Sequence, residues 1–190
     1  MYKPSKTAVL DQSPKSIRKA VNFLNNDELV SFPTETVYGL GASAISNIAV
    51  AKIFSTKGRP TYNPLIIHIA EPSDATKWAH IPETAKILIN NFWPGPLTLV
   101  LTKKKLSTQL ASLITGNLKT VAIRVPLHPT ARALIKEFGF PIAAPSANIS
   151  GKISPTRAQD VLTNLNGKIS ALIKGEQCVV GLESTIIGFD

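Results

Sequence analysis

The stretch Ser31-Phe32-Pro33-Thr34-Glu35-Thr36-Val37-Tyr38-Gly39-Leu40-Gly41 constrains the architecture more than any other part of this chain. An apolar run over residues 29–32 delivers the backbone into a segment dense with hydroxyls, a carboxylate and two glycines. Pro33 ends the strand, because it has no N–H to give to a sheet ladder. Glycine permits positive φ and close approach of a ligand to the backbone. The pattern predicts an exposed loop at a strand end, a common place for binding groups on an α/β scaffold. An ordinary turn fits the segment alone equally well. Two further segments favour the binding reading: Lys57-Gly58-Arg59-Pro60-Thr61-Tyr62-Asn63-Pro64-Leu65 and Ala144-Pro145-Ser146-Ala147-Asn148-Ile149-Ser150-Gly151.

Strand and helix patterns alternate irregularly around these segments. Strands are predicted over residues 28–32, 65–70, 97–102, 120–125, 142–144, 170–173 and 184–188. Ser13-Pro14 pairs an N-cap with a first-turn proline and opens a helix to residue 24; Ser154-Pro155-Thr156 repeats that opening. Helical patterns cover 47–55, 82–92, 129–138 and 155–165, with Gly58, Gly139 and Gly167 where helix stops are expected. Such irregularity argues for a mixed α/β sheet rather than a regular doubly wound one. Trp93-Pro94-Gly95-Pro96, the densest of the turns fixed by fourteen prolines, should form a rigid corner before the strand at 97. No linker divides the 190 residues, so the expectation is a single domain over 1–190, with a recognisable core over about 13–188.

With 44% hydrophobic and 17% charged residues, the chain can bury a full core. No apolar run approaches the roughly 18 residues that span a bilayer, so no membrane partner is expected. Met1-Tyr2-Lys3-Pro4-Ser5-Lys6 leads into no apolar stretch of the kind a secretory signal needs. The lone Cys178 cannot form an internal disulfide, which fits a reducing cytoplasm. A net charge of +9 favours polyanionic partners: nucleotide phosphates, pyrophosphate or RNA. Lys103-Lys104-Lys105 fits a solvated turn that could also contribute to a nucleic-acid face. Three scattered histidines and one cysteine lack zinc-site spacing, so no metal held by protein side chains is expected.

Lys57 and Arg59 flank Gly58 after a helix and lead, past Asn63, into an apolar strand. Such a loop should be anchored at the sheet edge. Arginine supplies a planar fork for phosphate or carboxylate, lysine a compact charge. A solvated helix end is the plainer alternative. His68 lies in an apolar strand, where a histidine is commonly a core residue with one nitrogen satisfied. Arg124 stands near the end of the apolar strand 120–125, where burial without an anion partner is expensive. It therefore points to solvent or meets a carboxylate. Ser146 and Asn148, two apart, share a side if the backbone is extended, and could meet a nucleotide's phosphates or form an Asx turn. No Gly-x-Ser-x-Gly elbow and no Gly-x-x-x-x-Gly-Lys-Ser/Thr loop is present, so a serine hydrolase or P-loop site is poorly supported.

Taken together, the segments 32–42, 57–69, 93–99, 120–126, 145–151 and Gly181-Leu182-Glu183-Ser184-Thr185-Ile186 resemble the YrdC/TsaC family, the L-threonylcarbamoyladenylate synthases. They span nearly the whole chain in the family's order. The resemblance implies a twisted mixed α/β sheet with flanking helices around a basic concave cavity. It also implies a nucleotidyltransferase that joins L-threonine, bicarbonate and ATP into threonylcarbamoyl-AMP, releasing pyrophosphate, for modification of an adenosine in tRNA. By resemblance, Thr36, His68, Arg124, Ser146 and Ser184 contact threonine, and Arg59, Asn63, Thr120, Asn148 and Thr156 contact ATP. Lys57 and Arg59 are then the catalytic cations, neutralising charge at the phosphates or the carbamate. Mg²⁺ is expected to arrive with ATP, carried largely by phosphates and water. Further partners implied are tRNA, through the basic surface, and a downstream threonylcarbamoyl transferase.

In the family, the Glu-Ser-Thr strand is normally followed by another strand and an Arg-Pro-Gly turn whose arginine reaches ATP. This sequence stops at Asp190. Another basic residue substitutes, the sequence is truncated, or nucleotide binding is impaired. Longer relatives append a second domain over the site, and none is expected within these 190 residues. Two other functions compete: a basic RNA-binding module of the same fold without catalysis, and a carbamoyl-transfer domain of a hydrogenase-maturation protein. The complete threonine set disfavours the first. The absence of zinc-finger or acylphosphatase-like segments counts against the second.

Overall fold

The computed structural model describes residues 6–105 and 109–189; the N-terminal residues 1–5 considered above and Asp190 lie outside them. Its centre is one nine-stranded mixed sheet in the order β1-β8-β2-β3-β7-β4-β6-β5-β9. The strands are β1 (Ala8–Leu10), β2 (Val30–Phe32), β3 (Gly39–Ser43), β4 (Ile66–His68), β5 (Leu97–Thr102), β6 (Thr120–Arg124), β7 (Ile142–Ala143), β8 (Ala171–Ile173) and β9 (Thr185–Gly188). The helices are α1 (Pro14–Asn25), α2 (Asn47–Lys57), α3 (Ala75–Trp78), α4 (Glu83–Phe92), α5 (Ser112–Thr115), α6 (Pro129–Phe138) and α7 (Ala158–Leu165).

Helix ends follow local chemistry. The Ser13 side chain accepts from the Ser16 N–H at 3.3 Å, with Pro14 in the first turn of α1. Gly58 (φ 61) and Gly139 (φ 79) end α2 and α6 in the left-handed conformation that only glycine adopts freely. The expected helix start at Pro155 does not form. The Pro155 carbonyl accepts from the Tyr38 N–H, the Thr156 carbonyl accepts from the Cys178 N–H, and α7 begins at Ala158. Ser154, read as a cap, donates instead to Glu183 at 2.6 Å.

The glycine-rich segment also departs from expectation. Residues 30–43 are buried, and Gly39–Ser43 is a strand antiparallel to β2 rather than part of an exposed loop. A Cβ on Gly41 would lie 2.7 Å from the Phe32 ring and 2.9 Å from Ile142. Here glycine serves close packing of side chains against the sheet. It serves no turn.

Side chains alternate across each strand, which splits the core into two clusters. On one face, Val30, Phe32, Ile142, Ala144, Ala171 and Ile173 pack under α1 and α6. On the other, Leu29, Ile67, Leu99, Ile123, Ala143 and Leu172 pack with α2, α3, α5 and α7. The first cluster takes no residue from β5, β6 or β9. On that face Thr120, Ala122 and Val100 are only half-buried, and Ile186 is 60% exposed. One half of the sheet therefore lacks a helical cover on this side, although Thr98 and Arg124 on that face are buried.

Candidate active site

The open half of the sheet is bordered by residues 33–38, which follow β2. The Thr34 hydroxyl donates to the Val37 carbonyl at 2.6 Å, accepts from the Thr36 and Val37 N–H groups at 3.2 Å, and lies 2.8 Å from the Thr36 hydroxyl. A hydroxyl has one proton to give. The Thr34 proton goes to Val37 and the Thr36 and Val37 N–H groups occupy its two lone pairs, so the Thr36 hydroxyl keeps both donor and acceptor capacity. Backbone bonds then join this turn to the distant segment before β9: Val180 N–H to Glu35 O at 2.9 Å, and Gly181 N–H to Thr36 O at 3.0 Å.

Sheet register sets a polar row beside the turn. Arg124 at the end of β6 is paired with His68 of β4 on one side and Thr98 of β5 on the other, so the three share a face. The Arg124 guanidinium donates from Nη2 to Glu35 Oε1 at 2.6 Å and from Nε to the Gly95 carbonyl at 3.2 Å. Glu35 Oε2 accepts from the Leu127 N–H at 3.0 Å. Both ions are buried, as a carboxylate and guanidinium can be when paired and hydrogen-bonded. The Thr98 and Ser184 hydroxyls lie 2.7 Å apart.

His68 is buried, meets the Phe32 ring edge-on at 6.5 Å, and leaves Nδ1 without a hydrogen-bond partner among the described residues. Burial, reinforced by the Arg124 charge, pushes its pKa down to about 3. The imidazole is therefore neutral at ordinary pH, a donor or acceptor rather than a cation.

The remaining expected residues form a second group. Lys57, at the end of α2, is buried and donates from Nζ to the Ser146 carbonyl, to the Asn148 carbonyl at 2.6 Å and to Asn148 Oδ1 at 3.2 Å. Burial foremost, then the nearby Arg59 charge, lowers its pKa to about 8. Its ammonium is thus seated on the 146–148 loop, which a β-bridge between Gly39 and Ser146 ties to β3. Asn148 donates to the Ile149 and Lys152 carbonyls at 3.1 and 2.5 Å. Arg59 is half-buried and donates to the Asn63 and Pro64 carbonyls at 3.3 and 3.0 Å. Thr120 shares a face of β6 with Arg124 at the strand's other end, roughly 13 Å away at the usual strand rise. Thr156 meets the same 178–181 segment that covers the turn, through its carbonyl to the Cys178 N–H at 2.9 Å.

The structure thus pairs His68 with Arg124 by strand register, joins Ser184 to their row through Thr98, brings Thr36 near only through its neighbour Glu35, and links Lys57, Ser146 and Asn148 through one ammonium. Arg59, Asn63 and Thr120 sit toward the opposite end of the open half-sheet. A cavity of about 530 Å³ near the end of β5, bordered by His80, Lys86, Thr102 and Lys104 among others, contains none of the expected site residues. Sequence reasoning passed over Glu35 and Thr98. A signal for Glu35 existed, since a buried Arg124 required an anion and the chain has only twelve acidic residues.

The family model Sua5_yciO_yrdC, described as telomere recombination, matches residues 22–190. The threonylcarbamoyl-AMP synthase of Bacillus subtilis is 50% identical over 184 residues, covering 95% of this chain and 52% of that protein. The threonylcarbamoyl-AMP synthase of Pyrococcus abyssi is 53% identical over 172 residues, covering 90% and 50%. A crystal structure of P. abyssi Sua5 complexed with L-threonine superposes with a TM-score of 0.91 at 49% identity, covering 96% of this chain and 54% of that one. The chain spans about half the length of these relatives.

Proposed function

The chain belongs to the Sua5/YciO/YrdC family, and from that footing we propose that it is a threonylcarbamoyl-AMP synthase acting on L-threonine, bicarbonate and ATP. The observation that carries the reading is the buried polar row His68–Arg124–Thr98, with the Ser184 hydroxyl on Thr98 and the Glu35–Thr36 turn on Arg124. Arg124 pairs with the amino-acid carboxylate. The Thr36 hydroxyl meets a polar group of threonine. His68 offers a neutral ring nitrogen, and Ser146 and Ser184 complete the contacts. ATP is assigned to Arg59, Asn63, Thr120, Asn148 and Thr156. The relation to P. abyssi Sua5, whose structure contains L-threonine, supports this assignment.

The threonine amine attacks the carbon of bicarbonate, and loss of water gives the carbamate. A carbamate oxygen then attacks the α-phosphorus of ATP, and the bond to the β-phosphate oxygen breaks to release pyrophosphate. Alignment and neutralisation of growing negative charge supply the catalysis. Arg59 meets the phosphates directly, while Lys57 acts from its seat on the Ser146 and Asn148 carbonyls. Mg²⁺ accompanies the nucleotide, held by phosphates and water; no group of three or more His, Cys, Asp or Glu among the described residues is arranged to hold a metal. The reaction belongs to the cytoplasm, with the product passing to a threonylcarbamoyl transferase and tRNA meeting the basic surface. No helix among the described residues is long and apolar enough to cross a membrane.

Incubation with ATP, labelled bicarbonate and threonine tests the proposal. Pyrophosphate should appear only when threonine is present, with label in the adenylate product. Threonine-independent release, or binding of RNA without any turnover, would favour a non-catalytic module instead.

A further inference from the structure

The Glu35–Arg124 pair has no role in the account so far, and its geometry is specific. Glu35 is 7% exposed and Arg124 4%. Within the guanidinium, Nη2 is bound by Glu35 at 2.6 Å and Nε by the Gly95 carbonyl at 3.2 Å, while Nη1 has no partner among the described residues. The acid is itself fixed at two more points, through Oε2 to the Leu127 N–H and through its own carbonyl to the Val180 N–H. An arginine side chain is long and flexible, so a fork meant to receive a planar anion gains from being held before the anion arrives. We propose that Glu35 is a positioning residue that fixes the Arg124 guanidinium so that its free Nη1 edge faces the carboxylate of the amino-acid substrate, without touching that substrate.

The inference rests on the amino-acid reading of the site and adds a requirement to it. Glu35 also cancels the buried charge of Arg124, so the empty site holds no uncompensated cation. Carboxylate binding then depends on the orientation of the fork rather than on net positive charge. Removing the acid should therefore weaken carboxylate recognition, although simple electrostatics predicts that it would strengthen it.

Calorimetric titration of the wild type and Glu35→Gln with L-threonine, L-threoninol and ATP separates these effects. Glutamine keeps the shape and an oxygen acceptor but loses the charge. The L-threonine dissociation constant should rise by about tenfold or more, whereas L-threoninol, which lacks the carboxylate, should move by less than about threefold. ATP affinity should also move by less than about threefold. Unchanged or tighter threonine binding overturns the proposal, as does a parallel loss of all three ligands, which marks a purely structural role. Should the variant fail to fold, side-chain ¹⁵N NMR of the unliganded wild type decides the point. Separate Nη1 and Nη2 signals for Arg124 support a held guanidinium, and one averaged signal overturns it. A wild type that binds ATP but not threonine overturns the amino-acid reading itself, and is distinguishable from failure of the Glu35 proposal by that absence.

Discussion

The hydroxyls of Thr98 and Ser184 lie 2.7 Å apart in a buried contact that ties β5 to the residue preceding β9. Thr98 also stands opposite Arg124 in the β5–β6 register, so one strand residue sets the spacing between the arginine and the serine. Thr98→Val keeps the shape and removes the hydrogen bond. It should destabilise the fold by about 1–3 kcal/mol, because the Ser184 hydroxyl loses its buried partner. Urea unfolding reads the stability loss, and the threonine KM should rise alongside it. Thr98→Ser should restore both.

Arg124→Ala removes the only cation in the polar row. Threonine binding should weaken by roughly 2–5 kcal/mol if its carboxylate is desolvated there. Titration with threonine checks this. An unchanged affinity would remove Arg124 from carboxylate recognition.

Lys57 makes activity and stability diverge with pH. Its folded pKa of about 8 lies below the ordinary value of 10.5, so between these the unfolded chain binds the extra proton. The lysine therefore opposes folding at lower pH, and stability should rise as pH climbs through that window. A function that needs the ammonium is lost as pH rises past that value, giving an alkaline limb in kcat/KM with a pKa near 8. Lys57→Ala should abolish that limb and depress turnover more than threonine affinity. A loss confined to affinity would place Lys57 outside the chemical step.

His68 acts at the acid end. Its pKa falls from 6.5 to about 3 on folding, so the unfolded state alone takes up a proton between those values. Stability should fall as pH drops through that window and be unaffected by this residue above it. His68→Gln, which cannot titrate, should flatten that part of the stability curve, as followed by thermal unfolding from pH 7 to pH 4. An identical slope in both proteins would refute the assignment.

Much of the fold was legible because its elements have local causes. The caps at Ser13, Gly58 and Gly139 and the strand at 97–102 follow from turn chemistry and from periodicity. What was missed depends on distant partners. Gly39–Ser43 resembles a loop in composition, yet it is a strand because β2 and β7 flank it and leave room only for small residues beside Phe32 and Ile142. Ala8–Leu10 is too short to signal itself, and forms against β8 over a separation of more than 160 residues. Pro155 loses its place in a helix because Tyr38 claims its carbonyl. The site shows the same division. The strand left Arg124 either facing solvent or meeting a carboxylate; its burial on Glu35, and the capture of the Lys57 ammonium by the 146–148 loop, are products of tertiary packing.

A crystal structure of this chain with L-threonine tests the account most directly. The substrate carboxylate should lie within hydrogen-bond distance of Arg124 Nη1, with Glu35 still on Nη2 and the rest of the ligand toward Thr36 and Ser184. Threonine bound away from this row, or seated there with its carboxylate turned from Arg124, would contradict it.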